Sequence, residues 1–242
     1  MPLYLVATPI GNLGDITQRA KDALAQSQIL AAEDTRSALR LLNAYNIPLP
    51  GRQLLSYGEH NEKQMAPKLA AELAAGKDVA LLTDGGTPLV SDPGYRLVQA
   101  AIEAGVQVVP LPGPCAAIAA LSASGLAVHG VLFRGFLPKK PGARRRILDS
   151  LKDREETLIF YESPQRVVRL AAELAEVFGP TRRACMAREL TKLHETFLRL
   201  PLGELAARLE ADEQKAPIKG EITVLVEGLG KAEDAADEPD DA

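Results

Sequence analysis

Short apolar runs alternate with alanine-rich segments of helical period along the first half of the chain. This pattern is typical of strands joined by crossover helices. Strands are predicted at 3–7, 28–33, 53–57, 78–83 and 107–112, and helices near 15–26, 36–44, 61–75 and 93–104. Helix starts are marked by Asp15 with Gln18, by Asp92 before Pro93, and by Ser163 before Pro164. The pattern predicts an α/β fold with a mostly parallel five-stranded sheet.

The predicted strands of the second half follow one another more closely. They lie at 131–136, 157–162, 183–189, 195–200 and 221–227, with a hairpin around 191–194. Spacing too short for helical crossovers indicates a second α/β domain with a mixed sheet. We therefore expect an N-terminal domain over 1–115, a C-terminal domain over 116–230, and an acidic, disordered tail over 231–242.

Composition favours a cytoplasmic globular protein, with 46% hydrophobic and 25% charged residues. The start of the chain has no basic region followed by a long apolar segment, and no run approaches the roughly 18 apolar residues of a membrane span. Cys115 and Cys185 stand apart among small or apolar residues, as buried reduced thiols do. The three histidines are too dispersed for a zinc site, so we expect no metal.

Charge is unevenly distributed along the chain. The net charge is −4, but the tail 231–242 carries six acids and one lysine, which leaves about +1 for residues 1–230. An acidic overall charge therefore does not exclude an anionic partner. The segment 134–154 has eight Lys and Arg against two Asp, which suits either phosphate neutralisation or a solvated helix face.

Small and polar residues follow the predicted strands of the first half, most clearly in TDGGTPLVSDPG at 83–94. In open α/β sheets the ligand crevice lies beyond the carboxyl ends of the strands. Glycines there let a ligand approach the backbone, and prolines fix the loop shape. The GxxxxGK[ST] and GxGxxG signatures are absent, which disfavours a P-loop ATPase and an enzyme that binds a dinucleotide such as NAD.

Nine ordered motifs span nearly the whole chain: LVATPIGNLGDITQRA (5–20), AAEDTR (31–36), GEHNE (58–62), LLTDGGTPLVSDPGYRLV (81–98), VVPLPGPCAAIAALSASGL (108–126), FRGFLPKK (133–140), IFYESPQRV (159–167), ARELTKLHE (187–195) and KGEITVLVEG (219–228). With these motifs the chain resembles the ribosomal RNA small subunit methyltransferase I family, which belongs to the tetrapyrrole methylase superfamily.

The resemblance implies two α/β domains that hold one S-adenosylmethionine in the cleft between them, usually in a homodimer. It implies cofactor contacts from the loops after the first, fourth and fifth strands and from two turns of the second domain. These residues are Pro9, Ile10, Gly11, Asp84, Gly85, Gly86, Thr87, Pro88, Gly113, Cys115, Ala116, Arg188, Glu189, Leu190, Gly220 and Glu221.

The implied reaction is methyl transfer to the ribose 2′-hydroxyl of a cytidine in the decoding region of 16S rRNA, either free or within the 30S subunit. A general base must take the hydroxyl proton. Glu59 and His60 after the third strand, and Glu162, are candidates, although a lone loop histidine is more often a surface or structural residue and Glu162 could instead cap a helix or form a structural hydrogen bond. Asp34 is disfavoured because Arg36 could pair with it. RNA contacts are expected from Arg36, Arg134, Lys139, Lys140, Arg144, Arg145 and Arg146.

Three features depart from the family pattern. Gly85 stands where members usually have Ala, and Gly58 stands where many have His. Many members also continue into a basic helical extension after the last strand, so no contribution of such an extension to RNA binding is assumed here. Two other functions stay open: a tetrapyrrole or other small-molecule methyltransferase of the same superfamily, and a non-catalytic ribosome-binding module.

Overall fold

The structure, a computed structural model, describes residues 1–229. Two compact units divide the chain, Met1–Cys115 and the part that begins at Ala116. The tail expected over 231–242 lies outside the described residues. No helix within residues 1–229 is long and apolar enough to cross a membrane.

The first unit contains a five-stranded parallel sheet, which confirms the predicted architecture. Its strands are β1 Leu3–Val6, β2 Ile29–Ala32, β3 Gln53–Ser56, β4 Val79–Leu82 and β5 Val108–Leu111, in the order β3-β2-β4-β1-β5. Its helices are α1 Gln18–Gln26, α2 Thr35–Ala44, α3 Glu62–Ala74 and α4 Tyr95–Glu103, with a short 3₁₀ helix at Leu13–Asp15.

The core of this unit lies on both faces of the sheet. Every residue of β2 and β4 is buried, as expected for central parallel strands covered by helices on both sides. One face packs against Leu24 and Leu42, and the other against Leu69 and Leu97. The continuous apolar runs ILAA and VALL therefore fix the middle of the sheet and leave the polar residues that follow them at its carboxyl edge.

Two of the three predicted helix starts are wrong. At α1 the cap is Thr17, whose hydroxyl accepts a 3.2 Å hydrogen bond from the Ala20 N–H, while Asp15 belongs to the 3₁₀ helix. At α4 the cap residue is Gly94 rather than Asp92.

The first N–H groups of α4 are satisfied by another helix. Those of Gly94 and Arg96 donate to Glu62 Oε1 of α3, both at 3.1 Å. A tertiary partner has therefore replaced the local cap that the sequence suggested, and the Asp92 carboxylate is free of that role.

The second unit contains a mixed five-stranded sheet, as predicted. Its elements are α5 Ala116–Ser122, β6 Val131–Phe136, α6 Pro141–Leu151, β7 Thr157–Glu162, α7 Pro164–Phe178, β8 Arg183–Arg188, β9 Thr196–Pro201, α8 Leu202–Lys215 and β10 Ile222–Val226. The strand order is β6-β7-β10-β8-β9, with β6 and β7 parallel and the other pairs antiparallel. The start of α7 is confirmed, because Ser163 is its cap residue and Pro164 occupies the first turn.

The connections of this sheet differ from the predicted close spacing. Of the strands within residues 1–229, only β8 and β9 form a hairpin in this sheet, while α6, α7 and α8 separate the other strands. Helix α6 was hard to recognise because its sequence PGARRRILDSL has few apolar positions, and Arg144 takes one of its three buried sites.

Candidate functional site

Three loops converge at the carboxyl edge of the first sheet, after the neighbouring strands β4, β1 and β5. Thr8 and Gly86 pair through two backbone hydrogen bonds of 2.9 Å each. The Thr87 hydroxyl donates to the Pro114 carbonyl oxygen at 2.9 Å. The structure thus brings the expected cofactor residues of this unit onto three loops that are tied to one another, at the edge where open α/β sheets bind ligands.

Two glycines keep side-chain bulk away from this junction. Gly86 has φ +92°, a backbone conformation that residues other than glycine rarely adopt. A Cβ on Gly85 would lie 3.3 Å from the Pro9 carbonyl oxygen, and one on Gly86 would lie 3.4 Å from Ile10 Cγ2. The glycines therefore let the loop after β4 pack closely against the loop after β1. Gly86 itself is buried and bonds Thr8 through both its N–H and its carbonyl oxygen, while Gly85 and Thr87 are partly exposed. The remaining residues of this set lie on the same loops: Gly11 and Gly113 are exposed, Pro88 is buried, and Cys115 is partly buried, while Ala116 begins the second unit.

Carboxylates gather on the other side of the same edge, after β2, β3 and β4. Burial and the nearby carboxylates of Asp84 and Glu59 raise the pKa of Glu33. Burial, Glu33 and Asp84 together raise the pKa of Asp92 to about 7. We call Glu33, Asp84 and Asp92 the acidic edge. Desolvation and neighbouring negative charges raise the pKa of all three carboxyl groups, although Asp84 is exposed whereas Glu33 and Asp92 are partly buried.

Sequence reasoning missed two members of the acidic edge. Glu33 follows directly after the buried strand β2, a position that could have marked it as a rim residue. Asp92 was assigned to a helix cap, and the structure gives that role to Glu62.

Glu59 and His60 lie close to the acidic edge. Both side chains are exposed, and neither has a hydrogen-bond or ion-pair partner among residues 1–229. The His60 ring lies against Gly58, where an added Cβ would be 3.2 Å from Nδ1. Both groups are therefore accessible to a substrate but are not held in one orientation.

The expected cofactor residues of the second unit meet where the end of β8 lies beside the start of β10. The Glu189 N–H donates to the Glu221 carbonyl oxygen at 2.9 Å, and the Glu221 N–H donates to Glu189 Oε1 at 3.0 Å. Lys192 Nζ lies 2.7 Å from Glu189 Oε1 and 3.0 Å from Glu221 Oε2. Lys192 was missed from the sequence, although it stands in the ARELTKLHE motif. Its hydrogen bond lowers the pKa of Glu189.

Gly220 is required by this arrangement. Its φ is +95°, and a Cβ would lie 2.5 Å from Glu189 Cγ. Leu190 is buried, and Arg188 Nε is buried without a hydrogen-bond partner in the described part of the chain. The Arg188 guanidinium therefore has an N–H available for a further interaction.

Glu162 has a structural environment at the start of α7. Its side chain is 1% exposed, its Oε1 lies 2.5 Å from Arg166 Nη2, and the same oxygen accepts the Ser163 N–H at 2.7 Å. The ion pair occupies Oε1 and does not favour Glu162 as the general base, while Oε2 is buried without a hydrogen-bond partner in the described residues.

Three of the expected RNA-binding arginines are already paired. Arg144 is buried and forms a two-point ion pair with Glu173, at 2.5 and 2.6 Å. Arg145 bonds Asp149 at 2.9 Å and Glu176 at 2.6 Å. Arg36 is held by both carboxylate oxygens of Asp34, although its side chain is 84% exposed. That hydrogen bonding also lowers the pKa of Asp34.

The other four expected RNA-binding side chains are exposed and have no carboxylate partner in the described ranges. They are Arg134, Lys139, Lys140 and Arg146. Two of these, Lys139 and Lys140, immediately precede α6. Four of the five unpaired basic side chains of the segment 134–154 therefore lie on β6, on the turn after it and on the first turns of α6, and the fifth, Lys152, follows the end of α6.

Comparison with known proteins places the chain in a family. Residues 2–206 match the family model for tetrapyrrole (corrin/porphyrin) methylases. A ribosomal RNA small subunit methyltransferase I from Mesorhizobium japonicum is 51% identical over 239 residues, which cover 99% of this chain and 78% of the relative. The protein of the same name from Escherichia coli O157:H7 is 48% identical over 226 residues, covering 93% and 77%.

Solved structures share the fold. The methyltransferase CobJ superposes with a TM-score of 0.68 at 21% identity, covering 94% of both chains. The uroporphyrin-III C-methyl transferase of Thermus thermophilus, complexed with S-adenosylhomocysteine, superposes with a TM-score of 0.63 at 21% identity, covering 93% of this chain and 97% of its own. These comparisons confirm the resemblance carried by the nine motifs: the chain belongs to the tetrapyrrole methylase family and, within it, to the ribosomal RNA small subunit methyltransferase I family.

Proposed function

We propose that this protein is an S-adenosylmethionine-dependent methyltransferase that modifies the ribose 2′-hydroxyl of a cytidine in the decoding region of 16S rRNA. The observation that carries the proposal is the junction of the loops after β1, β4 and β5, with Gly85 and Gly86 packed closely within it. It occurs in a chain about half identical to relatives that bear an rRNA methyltransferase name.

The residues of the junction fit this cofactor. Main-chain groups of Gly85 and Thr87 would contact it closely, and the nearby carboxylates of Glu33 and Asp92 would attract its positive charge. In the second unit, Arg188 and the Glu189–Glu221 turn would supply further contacts. When bound, S-adenosylmethionine supplies a methyl group activated by a positively charged sulfur.

The chain's own residues must position the ribose and accept its proton. Asp92 joins His60 and Glu59 as a candidate general base, because it is partly buried, is not used as a helix cap, and has a pKa raised to about 7. A base whose pKa lies near the working pH is the most effective at this task. We expect His60→Ala to lower methylation more than cofactor binding. Unchanged turnover would remove His60 from the mechanism.

RNA binding is assigned to the unpaired basic groups Arg134, Lys139, Lys140 and Arg146, whereas Arg144 is left out because it is buried in an ion pair. Exposed cations that neutralise phosphates give affinity that falls with salt. By the family resemblance we also propose that the protein acts as a homodimer in the cytoplasm, which analytical ultracentrifugation and fractionation would test.

The test of the proposed function combines binding and transfer. Isothermal titration with S-adenosylmethionine should show one site per chain, and purified 30S subunits or free 16S rRNA should then acquire one ribose methyl group. Uroporphyrinogen III is the comparison substrate. Transfer to the tetrapyrrole but not to RNA would favour a small-molecule methyltransferase, and absence of cofactor binding would favour a non-catalytic ribosome-binding module.

A further inference from the structure

A pocket of ≈ 400 Å³ lies within the first unit, beside the start of the loop after β4. This volume is within the range of small-ligand pockets. Its walls come from the 3₁₀ helix, from α2 and from the end of β4, and they include the apolar side chains of Leu13 and Leu41. The Tyr45 hydroxyl donates to the Leu13 carbonyl oxygen at 2.5 Å, which holds the 3₁₀ helix against the end of α2.

One polar group of this pocket lacks a partner. Thr83 is 4% exposed, and its hydroxyl has no hydrogen bond anywhere in residues 1–229. A buried hydroxyl without a partner destabilises the fold, so such groups point to an interaction that a ligand completes. Its neighbour Asp84 also lines the pocket and is exposed. A buried hydroxyl without a partner therefore stands next in the chain to a carboxylate that already interacts with Ser37.

The pocket also holds an unpaired cation. Arg40 Nη2 donates to the Ser37 hydroxyl at 3.0 Å, and Arg40 has no ion pair with a carboxylate in the described part of the chain. Burial and the Asp34 carboxylate raise the pKa of Asp84, while hydrogen bonds from Asp34 and Ser37 and the charge of Arg40 act against that rise. An anionic group at the mouth of the pocket would find this guanidinium available.

We propose that this pocket receives the base of the target nucleotide and selects cytosine. The proposal rests on the proposed function and assigns the Asp84 carboxylate to the substrate rather than to the cofactor. Asp84 accepts the N4 amino hydrogen, and the Thr83 hydroxyl donates to N3. Leu13 and Leu41 cover the ring, and Arg40 meets a neighbouring phosphate.

The selection follows from the hydrogen-bonding pattern of the two pyrimidines. Cytosine presents a donor at N4 and an acceptor at N3, which match a carboxylate beside a hydroxyl donor. Uracil presents an acceptor at O4 and a donor at N3, so its O4 would face the Asp84 carboxylate. Because RNA recognition and ribose chemistry act on unstacked nucleotides, a base pocket next to Gly85 would hold the ribose near the proposed cofactor loop.

The experiment compares two RNA substrates. The modified position is first mapped on wild-type enzyme by mass spectrometry, and subunits with cytidine or uridine at that position are then methylated under the same conditions. Wild type should prefer cytidine by about 10- to 100-fold in kcat/KM, the discrimination that a good base contact supplies. Asp84→Asn should reduce this preference to a few-fold by raising the rate on uridine, because an amide can turn to donate to O4.

A second variant separates function from stability. Thr83→Val keeps the side-chain shape, so it should lower kcat/KM on cytidine about tenfold without lowering the melting temperature or the affinity for S-adenosylmethionine. Glu103→Gln, an exposed carboxylate at the end of α4, is the control for charge and should change none of these quantities.

The outcomes distinguish the pocket from the proposed function. Wild-type methylation with no preference for cytidine, or a preference that survives both Asp84→Asn and Thr83→Val, would overturn the pocket and leave the methyltransferase standing. Wild-type protein that binds S-adenosylmethionine but transfers no methyl group to RNA would overturn both.

Discussion

Substitution of Arg144 tests whether the arginines of the basic segment 134–154 all bind RNA or whether one of them stabilises the fold instead. Although Arg144 stands in the arginine run of α6, its side chain is 4% exposed and its guanidinium faces Glu173. Two N–H groups reach the carboxylate at 2.5 and 2.6 Å, and a third lies 3.2 Å from the Pro138 carbonyl oxygen. We therefore expect Arg144→Ala to destabilise the second unit and to leave RNA electrostatics unchanged.

The size of the loss follows from what the substitution leaves behind. Glu173 would retain only Arg169, at 2.9 Å, and its carboxylate is 19% exposed. Removing one partner of a buried ion pair typically costs about 3–5 kcal/mol. Because Arg169 and some solvent still reach the carboxylate, we expect about 3 kcal/mol, the lower end of that range. Arg146→Ala, on the exposed side of the same helix, should cost no more than about 0.5 kcal/mol.

Two assays on the Arg144→Ala and Arg146→Ala proteins measure the contribution of each arginine to stability and to RNA binding. Equilibrium unfolding in urea, monitored by circular dichroism, gives the stability difference between Arg144→Ala and Arg146→Ala. The salt dependence of 16S rRNA binding gives the number of phosphate contacts, with a slope that falls by about 0.7–0.9 for each contact removed. Arg146→Ala should flatten this slope, and Arg144→Ala, measured well below its melting temperature, should not.

The reasoning would be refuted by the opposite pattern. If Arg144→Ala unfolded at the same urea concentration as wild type and flattened the salt slope, its guanidinium would have to be available to phosphate. The ion pair with Glu173 would then have no energetic importance.

Three further predictions concern the candidate site. Gly86→Val should abolish measurable S-adenosylmethionine binding, because a β-branched residue is strained at a φ of +92°. Pro93→Ala lies outside the expected cofactor residues 84–88 and should preserve binding, so equal losses in titration calorimetry would contradict the assignment of the cofactor contacts to 84–88. Gly220→Ala should weaken cofactor binding by displacing the side chain of Glu189. The control is Gly179→Ala, which introduces similar backbone strain at a φ of +92° but has no atom within 4 Å of the added Cβ, so it should leave the affinity for S-adenosylmethionine unchanged. Asp92 has a pKa of about 7 in the folded protein against an ordinary 3.8, so the folded state binds the proton more tightly and loses stability as pH rises from about 4 to about 7. Asp92→Asn should therefore gain more stability over wild type at pH 8 than at pH 5 in urea unfolding, and an equal gain at both would contradict the raised pKa.

The architecture of both sheets could be predicted from the sequence. The runs ILAA and VALL are buried at every position, and uninterrupted apolar residues of that length are typical of central parallel strands. The same reasoning located the polar loops after the strands, because a parallel sheet places all its carboxyl ends at one edge. The family motifs then identified which loops to compare with known methyltransferases.

Side-chain partners far apart in the chain could not be predicted in this way. Asp92 looked like a helix cap because caps are usually local, yet the N–H groups at the start of α4 bond to Glu62 of α3. Arg144 looked like a surface cation because its partner Glu173 is 29 residues away. The raised pKa of Asp92 likewise depends on Glu33, which joins it only when the sheet has formed.

The most direct test of the proposed function is the location of the transferred methyl group. Purified protein would be incubated with S-adenosylmethionine carrying an isotopically labelled methyl group and with 30S subunits that lack ribose methylation, and nuclease digests of the 16S rRNA would be analysed by mass spectrometry. Our account predicts one labelled 2′-O-methylcytidine in the decoding region. A label on a base, on a ribose outside that region, or on no nucleotide at all would contradict it.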